Sequence, residues 1–139
     1  MPSIRYQRLA SELLPLANKF YKSQRSPMRV GRSEQVWVAQ QAEIIAACCL
    51  KPVADGHWLS ALLVAHEQRQ QGVASQLLNT LRSHSQGPIW LFCAPELLSF
   101  YQRLGFAPCP ALPAELTERL LRYQRKQPLL ALAAAQQCG

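Results

Sequence analysis

The sequence predicts an α/β protein of the α+β type, with a central mixed sheet that is mostly antiparallel, flanked by helices and carrying one parallel strand pair. Three observations point there. Two strand-forming runs, Gln35 to Ala39 and Glu43 to Leu50, are separated by a short polar break and read as an antiparallel hairpin. An apolar run ending at Val64, a glycine-bearing loop, an amphipathic segment and a second apolar run from Ile89 to Cys93 make a β-α-β unit, which requires a parallel pair. The composition, 49% hydrophobic and 17% charged over 139 residues, suits one globular domain with a core of useful size.

Taken in order, Ser3 to Arg8 reads as a short strand, with Ile4 and Tyr6 alternating against Arg5 and Gln7. Around Ser11 to Lys22, Leu9, Leu13, Leu16, Ala17 and Phe20 recur every three or four residues and predict an amphipathic helix. Pro15 belongs in its first turn, where no helical hydrogen bond is lost. Ser23 to Ser33, with Ser26-Pro27 and Gly31, reads as a mobile loop suited to an acceptor entrance.

The hairpin follows, with its turn near Gln40-Gln41 and its second strand closed by Lys51-Pro52. Asp55-Gly56 signals a turn, and His57 to Val64 is a third strand whose apolar end places it centrally. Gly72 to Ser83 predicts a helix with Val73, Ala74, Leu77, Leu78 and Leu81 on one face, stopped by Gly87-Pro88. After the strand Ile89 to Cys93, Ala94-Pro95-Glu96 opens a helix that Gly105 ends, and Phe106 returns the chain to the sheet.

Pro113 to Arg125 reads as an extra helix, with Glu115 and Glu118 early and Arg119, Arg122, Arg125 and Lys126 late, the order that complements a helix dipole. Pro128 ends it. Leu129 to Ala135 is apolar enough for a last strand, although its alanines suit a helix as well. With no repeat or linker, residues 1–139 are expected to form one domain.

Fifteen Lys and Arg against eight Asp and Glu give a net charge of +7. The excess lies early, where Arg5, Arg8, Lys19, Lys22, Arg25, Arg29 and Arg32 face only Glu12, and it favours an anionic ligand or partner. Their irregular spacing without interleaved aromatics reads as a solvated basic face, and the lack of a helix-turn-helix or stacking motif argues against nucleic acid. No run approaches the roughly 18 apolar residues of a membrane helix, so no membrane partner and a cytoplasmic location are expected. Cys48, Cys49, Cys93, Cys109 and Cys138 are odd in number and lack C-x-x-C spacing, which suits small buried hydrophobes in a reducing compartment, with no metal site or disulfide framework. Neighbouring Cys48 and Cys49 point to opposite faces of a strand, so at most one of them faces a cavity.

The chemistry concentrates in the stretch from Leu62 to Leu78. A strand that passes through a glycine loop directly into a helix aims free N–H groups at an anion, and a pyrophosphate needs several such donors without large side chains in the way. Gly72 permits close approach of the backbone, Ala74 is small, and Val73 and Ser75 belong to the same helix start. Arg69 adds charge-assisted hydrogen bonds, while Gln70 and Gln71 occupy the wrapping loop.

With Arg69-x-x-Gly72-x-Ala74 and the later run Phe100-Tyr101-Gln102-Arg103-Leu104-Gly105-Phe106, the chain resembles the GNAT superfamily of acyl-CoA-dependent N-acetyltransferases over Val36 to Phe106. The resemblance implies the GNAT fold, acetyl-CoA as acyl donor, an amine of a small molecule or protein as acceptor, and direct attack in a ternary complex without an acyl-enzyme. It also implies that the parallel strands ending at Val64 and Cys93 splay apart around the cofactor, with the backbone of Leu62, Leu63 and Val64 pairing with the pantetheine arm. Tyr101 matches the tyrosine that protonates the departing thiolate in many members, and the acid role is preferred over the plain alternative, in which it only packs its helix against the sheet with Phe100 and Leu104. Many members carry asparagine seven residues before this tyrosine, and here Ala94 stands there, so one cofactor contact is missing or the Pro95-Glu96 turn differs. A general base is not identifiable among Glu34, Glu43, Asp55 and His57, with His66 and His84 expected in a loop and at a helix end. A catalytically silent acyl-CoA sensor is the alternative, and monomer and homodimer both stay open.

Overall fold

The computed structural model describes residues 3–31 and 33–134, and over them the chain forms seven strands and four α-helices. In order these are β1 (Arg5–Arg8), α1 (Leu14–Ser23), β2 (Gln35–Gln40), β3 (Ile44–Val53), β4 (Gly56–Val64), α2 (Val73–His84), β5 (Ile89–Cys93), α3 (Leu98–Arg103), β6 (Ala107–Pro108), α4 (Ala114–Gln124) and β7 (Leu130–Ala134). The strands order as β1-β2-β3-β4-β5-β7-β6, a mixed sheet with β4 at its centre. Its parallel pair is β4 with β5, His57 opposite Ile89 and Trp58 opposite Trp90. The described residues pack as two compact units, one of those up to Lys51 with Leu59–His84, the other of Pro52–Trp58 with those from Ser85 onward.

In the first unit β2 and β3 are covered on both faces, which explains their nearly unbroken apolar runs. α1 presses Ala17, Phe20 and Tyr21 against Val36, Val38, Ala47 and Cys49. The alternate residues face α2, whose His84 ring lies 5.6 Å from Trp37. Val36 opposes Cys49 and Trp37 opposes Cys48, so this division of faces carries across the hairpin and both thiols are fully enclosed. The hairpin and the weak first strand form as the sequence predicts, β1 pairing Arg5 to Arg8 with Gln40 to Trp37. α1 starts later than expected because Ser11–Leu13 is a 3-10 turn, and Pro15 then sits in the first helical turn.

In the second unit β5 and β7 pair antiparallel from Ile89 with Ala134 to Cys93 with Leu130, and β6 adds to β7. The last apolar segment is therefore a strand, not a helix; Ala135 and Cys138 lie outside the described residues. α4 buries Leu116 against Val53, Trp58 and Trp90. Arg119 lies on the same helix, with its guanidinium 4.4 Å above the Trp58 ring and 3.7 Å from Glu115.

Two boundaries differ from expectation. Lys51-Pro52 does not close β3, which continues to Val53, since proline's fixed φ is compatible with an extended chain and costs only one N–H donor. The turn is Ala54-Asp55, with Ala54 at φ 51°, and Gly56 already belongs to β4. A Cβ on Gly56 would lie 2.1 Å from the carbonyl oxygen of Pro88, so this glycine serves close packing, not turn geometry.

The early basic side chains Arg5, Arg8, Lys19, Lys22, Arg25 and Arg29 are exposed, as a solvated face requires, and Arg32 lies outside the described residues. No helix among the described residues is long and apolar enough to cross a membrane.

Candidate active site

β4 ends in Leu62, Leu63 and Val64, three apolar residues that are only half-buried although the strand is central. Ala61 immediately before them has φ 57°, a left-handed residue inside a strand and the backbone conformation that a G1 bulge carries. The Tyr21 hydroxyl donates to the Ala61 carbonyl oxygen at 2.7 Å.

Beyond Val64 the chain makes a 3-10 turn over His66–Gln68 and then the loop that leads into α2. The turn is tied at its start, where the His66 N–H donates to Gln24 Oε1 at 3.1 Å. Arg69 folds back so that its Nε–H donates to the Val64 carbonyl oxygen at 3.2 Å, and Gln71 Nε2 donates to the Glu67 carbonyl oxygen at 3.4 Å. Gln70 at φ 64° and Gly72 at φ 78° are both left-handed, and Arg69, Gln70, Gln71 and Gly72 are all exposed.

Gly72 caps α2, its carbonyl accepting the Gln76 N–H at 3.0 Å. A Cβ built on Gly72 meets nothing within 4 Å, so the space before the helix is open. No hydrogen bond from the N–H of Gly72, Val73, Ala74 or Ser75 to a partner among the described residues is formed, and no acidic residue stands in the first turn of α2. Val73 is buried and anchors the helix, while Ala74 and Ser75 are half-buried. Four unused donors, the positive end of a 12-residue helix and an arginine beside them make a cradle for an anion. The sequence-predicted residues from Leu62 to Ser75 are thus brought together.

Tyr101 belongs to the second unit, on α3. It is 8% exposed, with its ring centroid 5.0 Å from that of Phe100 and 5.8 Å from that of Phe106, both edge-on. Ala94 is extended and caps a 3-10 turn over Pro95–Leu97 that precedes α3.

The base candidates are scattered. Glu34, in the first unit, is half-buried and accepts the Gly31 N–H through Oε1, and Glu43 is exposed in the hairpin turn. In the second unit Asp55 is exposed, and His57 holds a buried Nδ1 without a hydrogen-bond partner. Burial pushes the Cys49 thiol up to about 12 and the Cys48 thiol well above its ordinary value, so neither is a thiolate at neutral pH.

The sequence did not mark Tyr21, Gln24 or Ala61. Tyr21 falls on the apolar face of an ordinary amphipathic helix, and alanine carries no signal of a left-handed conformation.

A family model described as the acetyltransferase (GNAT) domain matches residues 32–108. No curated protein matches the chain. Among solved structures, the ribosomal-protein-S18-alanine N-acetyltransferase from Escherichia coli is 16% identical at TM-score 0.66, covering 99% of this chain and 96% of that one. Arabidopsis thaliana Naa50, in complex with the bisubstrate analogue CoA-Ac-MVNAL, is 16% identical at TM-score 0.67, covering 96% and 99%. N-acetylglutamate synthase from Neisseria gonorrhoeae, complexed with coenzyme A and N-acetyl-glutamate, is 15% identical at TM-score 0.67, covering 99% of this chain and 35% of that one.

Proposed function

The chain belongs to the GNAT acetyltransferase family, and from that premise we propose that it acts as a single cytoplasmic domain moving an acetyl group from acetyl-CoA to a primary amine of a small molecule or protein. The observation that carries the donor assignment is the loop between β4 and α2. It is open in front of Gly72, lined by the free N–H groups of residues 72–75 and flanked by exposed Arg69, which is the donor set a pyrophosphate requires.

Acetyl-CoA supplies a thioester, and the chain supplies position and charge. Leu62, Leu63 and Val64 present half-buried apolar side chains and strand backbone to the pantetheine arm. An N–H there, aimed at the carbonyl oxygen, stabilises the developing oxyanion, a contribution of about 3 kcal/mol where it is well placed. The neutral amine attacks directly, its C–N bond forming at the expense of the C–S bond. Tyr101 donates its phenolic proton to the departing sulfur as the C–S bond breaks, a role that a phenol O–H can fill. The proton that nitrogen sheds passes through solvent and restores the Tyr101 phenol. The protonated thiols of Cys48 and Cys49 agree with a route that needs no acyl-enzyme. Protein amines and small amino acids are the acceptor classes to try, since the similar structures include a ribosomal-protein-S18-alanine N-acetyltransferase and an N-acetylglutamate synthase bound to N-acetyl-glutamate.

The test is calorimetric titration with acetyl-CoA, followed by release of CoA in the presence of peptide N-termini, lysine peptides and small amines. Binding together with amine-dependent release supports the transferase. Binding without release by any acceptor leaves an acyl-CoA sensor, and a parent protein that does not bind acetyl-CoA overturns the donor assignment.

A further inference from the structure

The Tyr21 side chain is fully buried near the end of α1, yet its hydroxyl reaches across 40 residues of sequence to the carbonyl of Ala61 at 2.7 Å. Ala61 is the left-handed residue of β4, and the three residues after it are those assigned to the pantetheine arm. Ala61 and Leu63 both pack against the cluster formed by α1, β2 and β3. A bulge sets the phase of all that follows it. If Ala61 relaxes to an ordinary extended conformation, Leu62, Leu63 and Val64 exchange faces and their N–H and C=O groups turn with them.

We propose that Tyr21 is a positioning residue for the acyl donor: its hydroxyl holds the Ala61 bulge and so fixes the direction of the backbone groups of Leu62, Leu63 and Val64. This inference rests on the acetyl-CoA assignment above. The phenol suits the task. Its burial, reinforced by the Cys49 thiol beside it and by the more distant Cys48 and Glu34, raises its titration far above neutrality, so the O–H stays a donor at every working pH. The Cys49 sulfur, 3.8 Å from the phenol oxygen, completes an enclosed wall that leaves the hydroxyl no water to turn to.

The experiment compares the parent, Tyr21→Phe, and Tyr21→Phe combined with Ala61→Gly. Phenylalanine keeps the ring packing and removes only the donor, and glycine occupies positive φ without a tether. Three quantities are read: the Kd for acetyl-CoA by calorimetry, kcat and KM, and amide hydrogen exchange at residues 62–64. The expected result for Tyr21→Phe is a Kd about tenfold weaker, with exchange at residues 62–64 faster by a similar factor, while amides of α2 and β2 stay protected. The added Ala61→Gly recovers most of the lost affinity.

A Tyr21→Phe protein that binds as the parent does overturns the inference. So does a loss that glycine at position 61 fails to recover, because a hydroxyl needed only for core stability has no reason to respond to it. Failure of the parent itself to bind acetyl-CoA is a different outcome, which removes the donor assignment and this inference with it.

Discussion

Gly72 offers a test in which stability and affinity are expected to move in opposite orders. It has φ 78°, caps α2, and has open space where a side chain would begin. Alanine there meets no clash but must hold a left-handed conformation, a cost of about 1 to 2 kcal/mol. For a chain of this size, that lowers Tm by roughly 4 to 8 °C. Glutamate pays the same backbone cost, yet its carboxylate stands at the N-terminus of α2, where no acid is present in the first turn, and regains about 0.3 to 1 kcal/mol from the helix dipole. Gly72→Glu is therefore the more stable variant. For acetyl-CoA the order reverses. A negative charge about 4 Å from a phosphate repels it by about 1 to 4 kcal/mol between fully aqueous and surface-like screening, or roughly fivefold to several hundredfold in Kd. Alanine adds no charge, but its Cβ enters the space assigned to the pyrophosphate, so it weakens binding by a few-fold only, less than glutamate. Calorimetric Kd and thermal melts of the three proteins, repeated at high salt, check both orders, and added salt must shrink the glutamate effect. If the two variants weaken binding equally, the pyrophosphate does not sit at Gly72.

Three further outcomes, each independent of that one, follow from the geometry. Tyr101→Phe keeps the edge-on contacts with Phe100 and Phe106. It is expected to lower kcat about a hundredfold or more while Kd for acetyl-CoA is unchanged, and a kcat within about threefold of the parent returns Tyr101 to a packing role. Stability should fall with alkaline pH, because burial holds the Cys49 thiol at about 12 in the folded chain against 9.0 when exposed. The unfolded chain loses its proton first, so this contribution is complete below about pH 9 and is lost towards pH 12 at about 1.4 kcal/mol per pH unit. Cys48 and Tyr21 act in the same direction. Urea melts at pH 8 and pH 10.5 measure the slope, Cys49→Ala should flatten it, and stability that rises with pH would contradict it. Under native conditions an alkylating reagent at pH 8 should spare Cys48, Cys49 and Cys93, all buried, and mark half-buried Cys109 ahead of them, as peptide mass spectrometry will read.

The fold was legible where patterning and packing agree. The runs Gln35 to Ala39 and Glu43 to Leu50 are apolar at nearly every position because helices cover both faces of the hairpin, and no single-face strand shows that signature. The passage from β4 through Gly72 into α2 was legible for a similar reason: an apolar strand, an invitation to positive φ and an amphipathic helix occur in sequence, and each supports the others. Edges were less legible. Pro52 looked like a terminator but lies inside β3, and Gly56 looked like a turn residue but serves the approach of Pro88. The last strand stayed ambiguous because alanine favours a helix in isolation, and only the five-residue ladder with β5 decides it. What the sequence hid was the left-handed Ala61, since alanine carries no signal of that conformation and the Tyr21 hydroxyl that meets its carbonyl lies 40 residues away.

That difference bears on how the candidate site is built. Among the described residues, Arg25, Ser33, Ala54, Ala61 and Gln70 are the non-glycine residues with positive φ, and two of them lie within the segment that ends β4 and opens α2. Each costs about 1 to 2 kcal/mol, so each must be imposed by its surroundings. Around Gln70 the imposing contacts are Arg69 to the Val64 carbonyl and Gln71 to the Glu67 carbonyl, which set the loop before any ligand arrives. A loop shaped in advance spares the ordering entropy on binding. Gln70→Gly separates these effects. Glycine relieves the strain but adds freedom to the unfolded chain worth about 0.4 to 1 kcal/mol, so stability should stay level or rise by about 1.6 kcal/mol at most. Affinity should move the other way, because Gln70 is exposed in a loop and, unlike Ala61 inside β4, has no strand to hold it. A residue that was held must now be ordered at about 1 to 2 kcal/mol, roughly five- to thirtyfold in Kd. A variant that is less stable, or that binds acetyl-CoA more tightly, would show that the left-handed Gln70 is a relic of local packing and not a device that shapes the anion cradle.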